Sequence, residues 1–251
     1  MGYPVGIRGF GQGLAITSFA EKAGARQRPP FFLIGLLVVV LLAGAAYAAY
    51  AGASLYVHLH HGGDGLVSAQ AKLSAGLRTG TPEMIRGAQS DLAGAGHDFA
   101  AAYGSARDDP AFSLLDGLPA TGGQVEASLH LAAIGEDLTR AGQAVAQISL
   151  EIVNLRQAYA GRSLTPEDLQ ALLQKAEELT RLYGASARLI GDDLRAAHQE
   201  RSQVVTANLV PPLKSAYYRV DEALSRADQA FVRFQDVRLL LSQLLGVSIP
   251  G

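Results

Sequence analysis

Cysteine and tryptophan are both absent from the 251 residues. Without cysteine there is no disulfide framework, no thiolate metal site and no lipidated thiol, and the redox compartment leaves no mark on the sequence. Charged residues are scarce at 18%, against 49% hydrophobic, a balance too apolar for a disordered chain. His-Glu-x-x-His, Gly-x-Ser-x-Gly and the phosphate-loop sequence do not occur, which leaves no recognisable centre for metalloprotease, serine-hydrolase or nucleotide chemistry. No Asn-x-Ser/Thr acceptor occurs either. No stretch alternates at period two long enough for a sheet.

What charge there is lies unevenly. Arg8, Lys22, Arg26 and Arg28 against Glu21 give residues 1–30 a charge of +3, and the remainder is acidic at −5. That distribution offers no basic footprint, so no nucleic-acid partner is expected. Between Phe31 and His61 there is no Asp, Glu, Lys or Arg at all. As a helix, Phe31–Val57 would measure about 40 Å, more than the ~30 Å hydrocarbon core of a bilayer. Pro29 and Pro30 suit a helix start, where N–H groups are unpaired anyway. Tyr47, Tyr50 and Tyr56 stand toward the far end, as interfacial aromatic rings do. A single transmembrane helix over 31–57 is therefore expected. Ala46-Tyr47-Ala48 and Ala49-Tyr50-Ala51 also fit a signal-peptidase site, but the leader before the apolar run is long for a signal peptide. A retained anchor is the expectation. Positive charge ahead of the span places the N-terminus in the cytoplasm and the rest of the chain outside.

Gly44, Ala48 and Gly52 recur every four residues, the spacing at which two membrane helices approach closely. An alanine-rich span would produce the same spacing by composition. Within the leader, Gly9-Phe10-Gly11-Gln12-Gly13 lacks the strand and helix that a phosphate-binding loop needs, and reads as a tail.

Beyond the span the punctuation is helical. Thr81-Pro82-Glu83 and Thr165-Pro166-Glu167 each read as N-cap, first-turn proline and acidic first turn. Pro110, Asp116-Gly117, Pro119 and Gly122-Gly123 make 104–123 a linker, and Pro211-Pro212 marks another junction. Ala127, Leu131, Ile134, Leu138, Ala141, Val145, Ile148, Ile152, Leu155 and Tyr159 follow at fours and threes, the pattern of a heptad seam. Glu136, Arg140, Gln143, Gln147, Glu151 and Asn154 take the opposite face. Similar stripes run through Ile85, Ala88, Leu92 and Ala95, through Leu169–Ala197, and through Leu213–Phe234. Such stripes must be buried, and short connections at 160–166 and 208–212 favour antiparallel neighbours. The predicted fold class is all-α: a single transmembrane helix, then a long antiparallel helical bundle with coiled-coil-like seams over 58–251.

Candidate chemistry is sparse. His58, His60 and His61 form the one local histidine cluster, but with no cysteine and only Asp64 nearby they read as polar residues ending the span. Glu126 and His130 stand one turn apart, without the repeated Glu-x-x-His of di-iron bundles. Asp108-Asp109 and Asp192-Asp193 read as solvated charge. No catalytic residue, metal ligand or cofactor is assigned, and the chain is not expected to be an enzyme. The late run Leu239, Leu240, Leu241, Leu244 and Leu245 covers too wide an arc for one seam, and marks an interaction surface for a protein partner or for self-association. At seven residues, Leu239–Leu245 is too short for a second span.

Phe112-Ser-Leu-Leu-Asp-Gly-Leu-Pro-Ala-Thr-Gly-Gly123, ahead of a long helix, and the final Leu239-Leu-Leu-Ser-Gln-Leu-Leu-Gly246, joined to a basic tail and one span, resemble the N-terminal half of the bacterial domain-of-unknown-function 4012 family. The resemblance implies a cell-envelope protein linked to surface polysaccharide, in which this region leads into a second extracytoplasmic domain. It carries over no functional residue. The expected role is a membrane-anchored, non-catalytic helical scaffold or interaction module. The alternatives are a sensor-type ligand-binding helical bundle and the N-terminal part of a larger surface-polysaccharide-associated protein.

Overall fold

The computed structural model describes residues 30–117, 121–161 and 165–245, with side chains described from Val39 to Gln235 apart from Leu169. The basic leader with its glycine run, and the side chains of Leu239, Leu240, Leu241, Leu244 and Leu245, lie outside the described residues. The chain divides into two units, residues 1–41 and 42–251. In the first, Val39, Val40 and Leu41 are exposed at 62%, 58% and 63%. The rest of this section concerns the second.

The described residues are all-α, without a strand. The helices are α1 (Pro30–Thr79), α2 (Pro82–Asp108), α3 (Pro110–Asp116), α4 (Gly122–Tyr159), α5 (Pro166–Gln203) and α6 (Pro211–Leu245), with a 3-10 turn at Thr206–Asn208. Proline opens α2, α3, α5 and α6, and each loses nothing there because a first-turn N–H has no helical partner. Thr165 closes a capping box, accepting from the Asp168 N–H at 3.1 Å while Asp168 accepts from the Thr165 N–H at 3.0 Å. Gly80, at φ +68°, ends α1 in the left-handed region, and the Thr81 N–H reaches back to the Gly76 carbonyl at 3.0 Å, a Schellman stop.

The histidine-glycine stretch 58–65 does not end α1. The helix runs 50 residues to Thr79, so the boundary expected at Val57 falls inside it. Packing on α1 begins at Ala48 and continues through Ala51, Leu55 and Leu59. Gly62, Gly65 and Gly76 then meet Phe99, Ala95 and Ile85 of α2. Glycine in a helix interior costs about 1 kcal/mol against alanine; here it lets two backbones approach, and the packing offsets that cost. The returning direction of α2 is fixed by Ile85 beside Gly76 at one end, and at the other by His58 with Asp98 at 3.0 Å and Tyr47 with Asp109 at 3.2 Å.

The linker expected over 104–123 is shorter than its prolines and glycines suggest. α2 passes through Gly104 to Asp108, and α3 occupies Pro110–Asp116, started by the Asp109 carboxylate accepting from the Ala111 N–H at 2.8 Å. α4 lies at the centre. Its predicted stripe is buried from Ala127 through Ala141 and again at Ile148, with Val145 half-buried, but Ile152 is 42% exposed and Val153 is buried instead. A second row of small residues faces α2: Gly135 against Phe99, Thr139 against Gly96, Gly142 against Leu92. α5 returns along α4, with His130–Glu200, Arg140–Asp193 and Glu151–Lys175 in order along the pair. α6 then runs back along α5 through Arg201–Asp221, His198–Asp228 and the Tyr183–Phe234 ring stack at 4.1 Å.

Candidate functional site

An apolar slot of about 550 Å³ opens along α1 and α6. Leu66, Ala69 and Leu73 of α1 form one wall, and Val220, Ala223, Ala227, Ala230, Phe231 and Phe234 of α6 the other. Leu138, Ala141, Gly142 and Val145 of α4 make the floor, flanked by Leu92 of α2 and by Ile190 and Leu194 of α5. Its origin lies in small side chains on α6. Where α6 faces α1 it carries alanines at 223, 227 and 230, side chains too short to fill the space between two helices. Elsewhere α6 packs: Leu224 is 1% exposed, and Phe231 lies close against Gly191 of α5.

The mouth is polar. The Arg219 guanidinium lies 3.2 Å from His60 Nδ1 and 3.9 Å from Asp64, and His60 Nε2 lies 3.4 Å from the same carboxylate. Arg226 pairs with Glu222 at 2.5 Å. The titratable residues lining the slot are therefore paired at its rim, and its interior is aliphatic and aromatic. Such a lining shelters an apolar guest from water; among the described residues it holds no nucleophile beside a base.

The histidine cluster does not converge. His58 turns to Asp98, His60 stacks on Tyr56 with ring centroids 5.8 Å apart, and His61 is exposed. Glu126 is exposed and apart from His130, which pairs with Glu200 at 2.6 Å. Asp108 lies 3.9 Å from Arg107, and Asp192 2.8 Å from Arg195. Asp193 is different: its Oδ1 accepts from Arg140 at 3.1 Å while its Oδ2 is buried without a hydrogen-bond partner. Arg140 also pairs with Asp137, which is only 6% exposed. Burial pushes the Asp137 carboxyl up to about 6, helped by the charges of Asp193 and Glu200 and opposed by Arg140. Sequence reading missed this network, because Asp137 sits between residues assigned to the seam and to its opposite face. No group of three or more metal-type ligands exists among the described residues.

Of the three small residues expected to mediate helix packing, Ala48 lies against the chain's own core. A side chain added at Gly44 or Gly52 would meet nothing within 4 Å. α1 contains one stretch long and apolar enough to cross a membrane, Val39–Thr79 by hydropathy. No protein family, curated protein or solved structure matches the chain.

Proposed function

We propose that the chain is a single-pass membrane protein of the cell envelope, its N-terminus cytoplasmic and its C-terminal region extracytoplasmic, serving as a non-catalytic helical scaffold. The observation that carries this reading is the continuity of α1. One helix leads from the exposed apolar turns at Val39–Leu42 into the core at Ala51, Leu55 and Leu59. Anchor and bundle then share a helix, a construction suited to holding a surface at a set distance from a bilayer. The outer part works as a long antiparallel bundle with coiled-coil-like seams, and partners or further copies are engaged through its helices. Protease added to intact cells should remove the region after His61 and spare residues 1–28. Protection of the C-terminal region would overturn the orientation.

The slot favours a second reading, a ligand-binding helical bundle. N-phenyl-1-naphthylamine should bind at one site per chain, and Ala227→Phe should abolish binding without lowering the melting temperature. Absence of saturable binding by the parent chain leaves the scaffold reading alone.

A further inference from the structure

The uncharged run of the sequence extends to Val57, but the structure sets a carboxylate against it at Tyr47 and another just beyond it at His58. We infer that the outer boundary of the bilayer lies at Tyr47, about ten residues short of Val57, and that the α2–α3 corner rests on the lipid headgroups there. This rests on the reading that α1 crosses a membrane.

Tyr47 Oη donates to Asp109 Oδ2 at 3.2 Å, which ties the α2–α3 junction to α1 at that level. Arg107 and Asp108, with side chains 67% and 79% exposed, stand immediately before Asp109. At the other end of this stretch, His58 pairs with Asp98. Setting the boundary at Val57 would carry Asp109 and its neighbours about 15 Å into hydrocarbon, the span of ten residues at 1.5 Å each. Exposed ionised groups are not placed there. With the boundary at Tyr47, Pro30–Tyr47 measures about 27 Å as a helix, close to the ~30 Å core. Tyr47 and Tyr50, 49% and 73% exposed, then occupy the interface, where such rings concentrate.

The same placement supplies a partner for α3. Ala111 and Phe112 are buried in the core, while Pro110 and Leu114, one turn apart on this short helix, are exposed, Leu114 at 76%. An apolar edge at headgroup depth gains by shallow insertion. Asp108, Asp109 and Asp116 outnumber Arg107 around it, so the partner is a zwitterionic lipid surface and contact does not depend on anionic lipid.

The absence of cysteine makes single-cysteine reporters direct. The full chain, carrying Val40→Cys, Ala53→Cys, Val57→Cys or Leu114→Cys, is reconstituted in phosphatidylcholine vesicles and treated with a membrane-impermeant maleimide. Ala53→Cys and Val57→Cys should label within about threefold of their rates in denaturant, and Val40→Cys at least a hundredfold more slowly. A fluorophore at Leu114→Cys should be quenched by lipid spin-labelled near the headgroup and not by lipid labelled at the chain end. Protection of Ala53→Cys and Val57→Cys to the level of Val40→Cys would return the boundary to Val57 and overturn the inference. An unquenched Leu114→Cys would remove the α3 contact. Rapid labelling of Val40→Cys together with the others would instead refute the crossing itself.

Discussion

Asp137→Asn should stabilise the protein near neutral pH and remove part of its pH dependence. Asp137 is buried at 6% exposure in the α4–α5 interface, and one guanidinium, Arg140, serves both it and Asp193, with Glu136 at 3.9 Å. Burial is the main cause that raises its carboxyl to about 6. Unfolded, the same group titrates near ~3.9. The folded state therefore binds the proton more tightly, and ionising Asp137 at neutral pH costs the fold roughly 3 kcal/mol. The sign follows from linkage. The contribution of protonated Asp137 is fully present below about pH 4, and is lost as pH rises through about 6.

Asn keeps the volume and a carbonyl oxygen for Arg140, and carries no charge to desolvate. Asp91 carries the opposite trend. Burial raises Asp91, but its bonds to Lys72 and Ser68 outweigh this and hold it below the ordinary value, so it loses stability as pH falls through its folded value. The measurement is therefore the difference between parent and variant. Thermal unfolding by circular dichroism, on the full chain in mild detergent, should favour Asp137→Asn by roughly 6–12 °C at pH 7.5. The gap should narrow to near zero at pH 4. A gap that stays constant from pH 4 to 7.5, or a variant less stable than the parent at pH 7.5, would refute the buried-charge argument.

Gly135→Ala would place a methyl 2.4 Å from the Phe99 ring, whose tip already lies against Gly62; a loss of about 3 kcal/mol is expected from overpacking, relieved in the double variant with Phe99→Leu. Ile148→Asp, at a site 2% exposed beside Tyr183 and Ala187, should cost several kcal/mol, whereas Gln147→Asp on the exposed side should cost under about 0.5; equal shifts in melting temperature would mean α4 faces α5 in another register. Serine at Leu239, Leu241 and Leu244 should reduce self-association in sedimentation without changing helical content, and unfolding of the bundle instead would assign these leucines to its core.

Most helix starts were legible because proline and threonine act through local chemistry: Thr81-Pro82 and Thr165-Pro166 begin α2 and α5 where expected. The stripe of large aliphatics on α4 was legible as well, since Leu131, Ile134 and Leu138 repeat at helical spacing and are buried. The contacts made by small residues were not. Gly62, Gly65, Gly135 and Gly142 carry no hydrophobic signal, and local propensity counts them as breaks. Their value appears only when Phe99, Ala95 and Leu92 of another helix arrive over them. The slot was illegible for a related reason: alanines at 223, 227 and 230 read as part of a face, and nothing local says that the facing helix stands too far off for them to fill the gap. The buried Asp137 network depends on Asp193, fifty-six positions away on α5, a pairing no periodicity encodes.

The shared helix has a consequence for where the protein can be divided. By composition, a cut at 62 separates an apolar anchor from a soluble bundle. By packing, the cut discards Ala51, Leu55 and Leu59, at 5%, 4% and 7% exposure, from the cluster that holds Phe99, Leu131 and Ile134. Each leucine contributes about 1.5–3 kcal/mol by burial, so losing the pair removes roughly 3–6 kcal/mol. Whole domains of this class are stable by only ~5–15 kcal/mol. The cut also leaves Asp98 of α2 without His58, and Asp109 at the α2–α3 junction without Tyr47. A fragment beginning at Tyr47 retains all of these, and should melt cooperatively under conditions where one beginning at Gly62 is already partly unfolded. Within the uncharged run, Ala51 and Leu55 then belong to the core, whereas Val39, Val40, Leu41 and Leu42 stand exposed.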